Sequence, residues 1–123
     1  MNVDIKSVED LDVFKMAHEL VLKIYKITKK FPDEEKFGLV SQMRRAVSSV
    51  PMNLMEGGHR LSSKEYRQFA GIANGSIGEF KYHILLSKDL KYLSNDIYHE
   101  LRNTAEEISK MLMGLIKSLS KKQ

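Results

Sequence analysis

The stretch Gln42-Met43-Arg44-Arg45-Ala46-Val47-Ser48-Ser49-Val50-Pro51-Met52-Asn53-Leu54-Met55-Glu56-Gly57 decides how this chain folds. Met43, Ala46, Val50 and Leu54 recur at helical spacing, so the run reads as a helix with a continuous apolar seam. Gln42, Arg45, Ser49, Asn53 and Glu56 also recur at steps of three and four, which lines them up as a polar stripe on the same helix. Such a stripe facing water is ordinary, but here apolar residues flank it and Pro51 sits within it. It points to a specified packing surface or a site and names no reaction. Pro51 removes one backbone donor and is expected to kink the helix, with Ser48 bonding a freed carbonyl.

Three further helices follow from the sequence on either side. Leu11, Phe14, His18, Val21, Tyr25 and Thr28 form a seam flanked by Ala17, Leu22 and Ile24, ending before Phe31-Pro32 because the residue preceding proline is pushed out of the helical region. Asp33-Glu34-Glu35 suit the N-terminus of the second helix, and Gly57-Gly58 its C-terminal stop. Ser62 and Glu65 have capping-box spacing at the start of the third. Phe69, Ile72, Ser76, Phe80, His83, Leu86, Leu90 and Leu93 carry its periodicity. Gly71, Gly75 and Gly78 lie inside it, each costing about 1 kcal/mol relative to alanine. Their spacing on one face predicts the close approach of another helix. Ser94-Asn95 breaks the pattern and caps a last helix with the seam Leu101, Ala105, Ile108, Leu112, Leu115 and Leu119.

Apolar/polar alternation of the strand type persists nowhere. The expected architecture is therefore all-α: an up-down-up-down four-helix bundle, one domain over residues 1–123, with helices at about residues 8–30, 34–57, 62–93 and 95–119. The length of 123 residues is ample for one core, and 42% apolar with 29% charged residues is an ordinary balance for a soluble domain. The chain has no cysteine, which excludes disulfides and thiolate metal sites. No apolar run approaches the ~20 residues of a membrane span, and Met1-Asn2-Val3-Asp4-Ile5-Lys6 lacks the apolar core of a signal peptide. A cytoplasmic protein without membrane contact is expected.

Candidate chemistry is sparse. No serine sits in a Gly-x-Ser-x-Gly elbow. A di-iron bundle needs two Glu-x-x-His motifs and two further glutamates, whereas this chain has one such motif, Glu56 to His59, plus the pair Glu79 and His83. No catalytic residue, metal or cofactor is assigned. His18 reads as a core or interface histidine, and His59 and His99 as solvated. Ser76, Glu79 and His83 form a second polar stripe, so Arg45, Glu56 and Glu79 are candidates for an ionic network inside or between bundles that fixes register.

The net charge of +4, from 20 basic against 16 acidic residues, is compatible with a polyanionic partner without specifying one. In an up-down-up-down bundle one pole gathers Arg60, Lys64, Arg67, Lys117, Lys121 and Lys122, diluted there by Glu9, Asp10 and Asp12. Lysines at helix C-termini complement the helix dipole. That explanation does not extend to Lys64 and Arg67 near a helix N-terminus, which leaves the pole as a candidate phosphate-contacting surface.

Asp10-Leu11, Phe14-Lys15-Met16-Ala17, Phe31-Pro32 through Glu35, and Phe37-Gly38-Leu39 precede the run Gln42-Met43-Arg44-Arg45-Ala46, Ser49-Val50-Pro51-Met52-Asn53 and Glu56-Gly57. Ile72-Ala73-Asn74-Gly75-Ser76 and Glu79 follow it. Together these resemble the four-helix bundle family of 23S ribosomal RNA intervening-sequence proteins over about residues 8–118. Members of that family are small bacterial proteins, and the fold is similar to the accessory variability proteins of diversity-generating retroelements, which form pentameric barrels and bind nucleic acid. The resemblance implies a non-enzymatic homo-oligomer, a pentamer, in which Gln42, Arg45, Ser49, Asn53, Glu56, Ser76 and Glu79 are the motif positions. This chain departs from the family at Met52 and Met55, where small residues are usual. The expected function is that of an RNA- or DNA-binding accessory factor. The alternative is a protein-interaction scaffold that binds no nucleic acid.

Overall fold

The computed structural model describes residues 8–121. Four helices carry the fold: α1 (Asp12–Thr28), α2 (Leu39–Gly58), α3 (Ser63–Asp89) and α4 (Asn95–Ser120), with a 3₁₀ turn at Asp33–Glu35 between α1 and α2. Each helix packs on its neighbours in sequence, α1 also closes on α4, and the diagonal pairs keep apart. Successive helices run in opposite directions: the Met43 sulfur meets the Ser87 hydroxyl (3.5 Å), Ser49 meets Ser76 (2.8 Å) and Asn74 meets Ser109 (2.8 Å). Among the described residues this is an all-α four-helix bundle, as the periodicity predicts.

The core is a column of side chains from all four helices. Val13, Ala17, Leu20 and Ile24 of α1 pack against Met43, Ala46, Val50 and Leu54 of α2, with Ala73, Ile77, Phe80 and Ile84 of α3 and Leu101, Ala105, Ile108 and Leu112 of α4. The predicted seams of α2 and α4 match this burial. That of α1 and the first half of that of α3 are rotated by about one residue, while Phe80 and His83 of the α3 seam are buried as expected. In α1 the buried line is Val13-Ala17-Leu20-Ile24, while His18, Leu22 and Tyr25 are exposed; His18 stacks on Phe14 at the surface (6.4 Å between ring centroids), correcting its reading as a core residue. In α3 the alanines Ala70 and Ala73 are buried, while Ile72 and Leu90 face outward. Small residues win these positions because α3 packs along both α2 and α4, and only short side chains let the backbones approach.

Gly57 and Gly58 are the last residues of α2, the expected stop, with no positive φ. A Cβ on Gly57 would lie 2.7 Å from Tyr66 Cδ1 and 3.0 Å from Phe69 Cβ, and one on Gly58 would collide with Val8. Gly57 thus serves close packing of α2 under the start of α3, and Gly58 that of α2 against Val8. A Cβ on Gly71, Gly75 or Gly78, by contrast, would meet nothing within 4 Å among the described residues.

The helix ends show what the sequence reading anticipated and what it missed. Ser62 and Ser94 cap α3 and α4, their hydroxyls accepting from the Glu65 and Ile97 amides (both 3.1 Å). The acids Asp33–Glu35 form the separate 3₁₀ turn, and α2 starts only at Leu39, so the expected start at residue 34 is early. Glu35 still serves that start, accepting from the Leu39 amide (3.4 Å) and from the Tyr92 hydroxyl (2.9 Å). α3 ends at Asp89, short of the expected residue 93. Lys91 adopts φ 71°, its amide bonds the Lys88 carbonyl (3.0 Å), and the Tyr92 amide bonds the Ser87 carbonyl (2.8 Å). This is a Schellman termination with lysine where glycine is usual. α2 continues through Pro51, and among the described residues Ser48 makes no hydrogen bond to the carbonyl that the proline frees.

Gly57→Ala is expected to lower unfolding free energy by about 1–3 kcal/mol through overpacking. Gly114→Ala, at a helical glycine with open space around it, should raise it by about 0.5–1 kcal/mol. Urea melts of the two variants check the contrast.

Candidate functional site

The polar stripe of α2 divides into an inner and an outer part. The inner part joins α2 to α3. Ser76 Oγ donates to the Ile72 carbonyl (3.2 Å), so its partner Ser49 Oγ, 2.8 Å away, donates to it. Asn53 Nδ2 then donates to Ser49 Oγ (2.9 Å) and to the Ser49 carbonyl (2.7 Å). Each hydroxyl has one proton, so the chain of bonds has one direction: Asn53 to Ser49 to Ser76 to Ile72. These groups are half-buried, where leaving a polar atom unpaired is costly. They fix the register between the two helices.

The outer part is unpaired. Gln42, Arg45, Glu56 and Glu79 are exposed. Among the described residues Arg45, Glu56 and Glu79 make no ion pair with one another, so the ionic network does not form within the chain. Glu79 instead lies 3.7 Å from Nε2 of His83. His83 is 4% exposed, and its Nδ1 has no partner. Burial pushes the His83 pKa down, Glu79 opposes that, and Arg45 adds to it. Gln42 of α2, Glu35 of the 3₁₀ turn and Tyr82 line the same small cleft of about 250 Å³ beside His83.

The basic pole is assembled in part. Arg67 Nη1 donates to Ser120 Oγ (3.2 Å), which holds the start of α3 against the end of α4 and brings Lys64 and Arg67 to the end that carries Lys117 and Lys121. Arg60 lies over the Phe69 ring (5.3 Å) and pairs with Glu65 (3.4 Å). Lys122 lies outside the described residues. His59 and His99 are exposed, as read from the sequence. Among the described residues no three histidine, aspartate or glutamate side chains converge as a metal site would require. No helix is long and apolar enough to cross a membrane.

The sequence reading overlooked a groove on the other side of α2. Tyr25, Lys36, Phe37, Arg44, Arg45 and Met52 are among the residues that line an open cleft of about 420 Å³. The signal was present as an aromatic residue on each side of a Lys/Arg-rich segment. It was masked because Tyr25 had been assigned to the core seam.

Comparison with known proteins gives three results. The family model described as "23S rRNA-intervening sequence protein" matches residues 9–114. The crystal structure of a protein of unknown function from the S23 ribosomal protein family of Bacteroides thetaiotaomicron VPI-5482 superposes with a TM-score of 0.79 at 25% identity, covering 85% of this chain and 95% of that one. No curated protein matches the chain.

The lowered pKa of His83 makes a pH dependence. Its unfolded form takes up a proton near pH ~6.5, while the folded form resists protonation to lower pH. Stability is therefore full above the unfolded pKa and falls as pH drops through it, levelling off below the folded pKa. His83→Gln should flatten this fall between about pH 7 and 5, a window above the titration of most carboxylates. Chemical denaturation across that range measures it.

Proposed function

The chain belongs to the 23S rRNA-intervening sequence protein family, and we propose that it acts as a non-enzymatic, homo-oligomeric bundle that binds RNA or DNA through its basic pole as an accessory factor in the cytoplasm. The observation that carries this reading is the juncture of α3 and α4 at Arg67 and Ser120. It groups Arg60, Lys64, Arg67, Lys117 and Lys121 on one end, with Lys122 next in sequence, and the α3 members are not explained by helix-dipole complementation.

Self-association is supported by the outer face of α3. Gly71, Gly75 and Gly78 each cost about 1 kcal/mol in a helix, and among the described residues a Cβ on any of them would meet nothing within 4 Å. Ile72 and Tyr82 are 53% and 60% exposed on the same helix. Arg45, Glu56 and Glu79 are exposed on α2 and α3, carry opposite charges and make no ion pair with one another among the described residues. A second subunit packed there would use the glycines for close approach and pair the charges, and a pentamer is the assembly that the family resemblance implies. The same face supports the second reading, a scaffold that docks a different protein and no nucleic acid.

Fluorescence anisotropy with a structured RNA and a duplex DNA over a salt series tests the proposal. Binding should weaken linearly in log–log form, with a slope near −0.9 per phosphate neutralised. Lys64→Ala with Lys117→Ala should reduce that slope by about two. Absence of binding at low salt, or binding indifferent to salt, would overturn the pole and leave the scaffold.

A further inference from the structure

The groove between α1 and α2 combines three features that no packing requirement explains. Phe37, at the turn into α2, is 90% exposed, and Tyr25 presents its ring at the end of α1. Three cations, Lys36, Arg44 and Arg45, line the cleft, and no carboxylate does. Arg44 is already held in place: its guanidinium lies 4.5 Å over the Tyr25 ring, Nε donates to Thr28 Oγ1 (3.0 Å) and Nη2 to the Tyr25 carbonyl (3.3 Å).

Asp33, Glu34 and Glu35 precede Lys36 in sequence, and none of the three lines the cleft. Glu35 is committed to Tyr92 and Leu39 and lines the cleft on the opposite side of α2. Lys26, Lys29 and Lys30 are exposed at the adjoining end of α1. The volume of about 420 Å³ falls in the ~300–1,000 Å³ range of clefts that hold small ligands or single residues of a polymer.

An occupant that suits this surface carries flat apolar faces and negative charge together. Bases stack on exposed aromatic and guanidinium planes, and the free Nη1 edge of an arginine so held is a donor pair for phosphate oxygens. A duplex hides its base faces, whereas a single strand offers them. We propose that the groove formed by Tyr25, Lys36, Phe37, Arg44 and Arg45 is a binding site for single-stranded nucleic acid, with a base stacked on Phe37 or on the Arg44–Tyr25 pair and its phosphate held by Arg44 and Lys36. The site begins at the end of the bundle opposite the basic pole and stands independently of it.

Anisotropy with a labelled oligouridine of about twelve nucleotides at low salt tests the assignment. Wild-type protein should bind it, and tyrosine fluorescence should be quenched on binding. Phe37→Ala, at a residue that is 90% exposed, leaves the fold intact and should weaken binding by about 5- to 100-fold, the effect of one lost base stack. Arg44→Lys keeps the charge and should also weaken it, because lysine lacks the stacking fork. Phe37→Ala should leave the affinity for duplex DNA unchanged, because a duplex hides its base faces, which separates this site from the pole. The proposal is overturned if wild-type protein does not bind the oligomer, or if Phe37→Ala and Arg44→Lys bind it as wild type does. It is equally overturned if Phe37→Ala changes the mass in light scattering and not the affinity, which would make the groove a contact between copies of the chain.

Discussion

The junction of α2 with α3 is the constraint on which the rest of the molecule depends. Gly57 brings the end of α2 under Tyr66 and Phe69 closely enough to exclude a methyl group. Nearer the middle, the directed bonds from Asn53 through Ser49 and Ser76 to the Ile72 carbonyl permit one register. Apolar packing alone would tolerate a slide of one turn, because Val47, Val50 and Leu54 offer similar surfaces. A slide breaks every bond of the relay and leaves half-buried hydroxyls unpaired, which is costly. Hydrophobic burial supplies the stability, and the polar relay selects the arrangement.

With that register set, the outward faces of α2 take different characters. On the side toward α3, Arg45 and Glu56 are exposed and make no ion pair with each other or with Glu79 among the described residues. Toward α1 the cations Lys36, Arg44 and Arg45 meet the Tyr25 and Phe37 rings, and no carboxylate lines the cleft. The inner side of the helix packs, and its outer sides are the surfaces proposed to meet a second subunit and a single-stranded nucleic acid. Met52 is 61% exposed and lines the second of these. Its flexible thioether suits a surface that adapts to what it meets.

The fold was legible in the sequence because the seams of α2 and α4 are unambiguous and the serine caps of α3 and α4 are ordinary. The phase of α1 and α3 was not. In α1 the apolar arc is broad, and a seam drawn through Phe14, His18, Val21 and Tyr25 follows its edge where burial follows its centre; in the first half of α3 the buried Ala70 and Ala73 are small residues that a reading weighted by size passes over. The end of α3 was missed because lysine, not glycine, takes the left-handed position at residue 91. Spacing correctly linked Ser49, Asn53 and Ser76, but could not tell that Arg45, Glu56 and Glu79 point away from one another's reach. A helical period gives direction around an axis and says nothing of the distance between two helices. The same limit applies to the glycines: the helix approach expected at 71, 75 and 78 is not made among the described residues, whereas close packing occurs at 57 and 58.

The α2–α3 register rests on the hydrogen bond between Ser49 and Ser76. A double-mutant cycle with Ser49→Ala, Ser76→Ala and the pair, read by urea denaturation, measures it directly. A hydrogen bond of this kind predicts a coupling free energy of about 0.5–1.5 kcal/mol, with the double variant less destabilised than the sum of the singles. Strictly additive single variants would contradict the account.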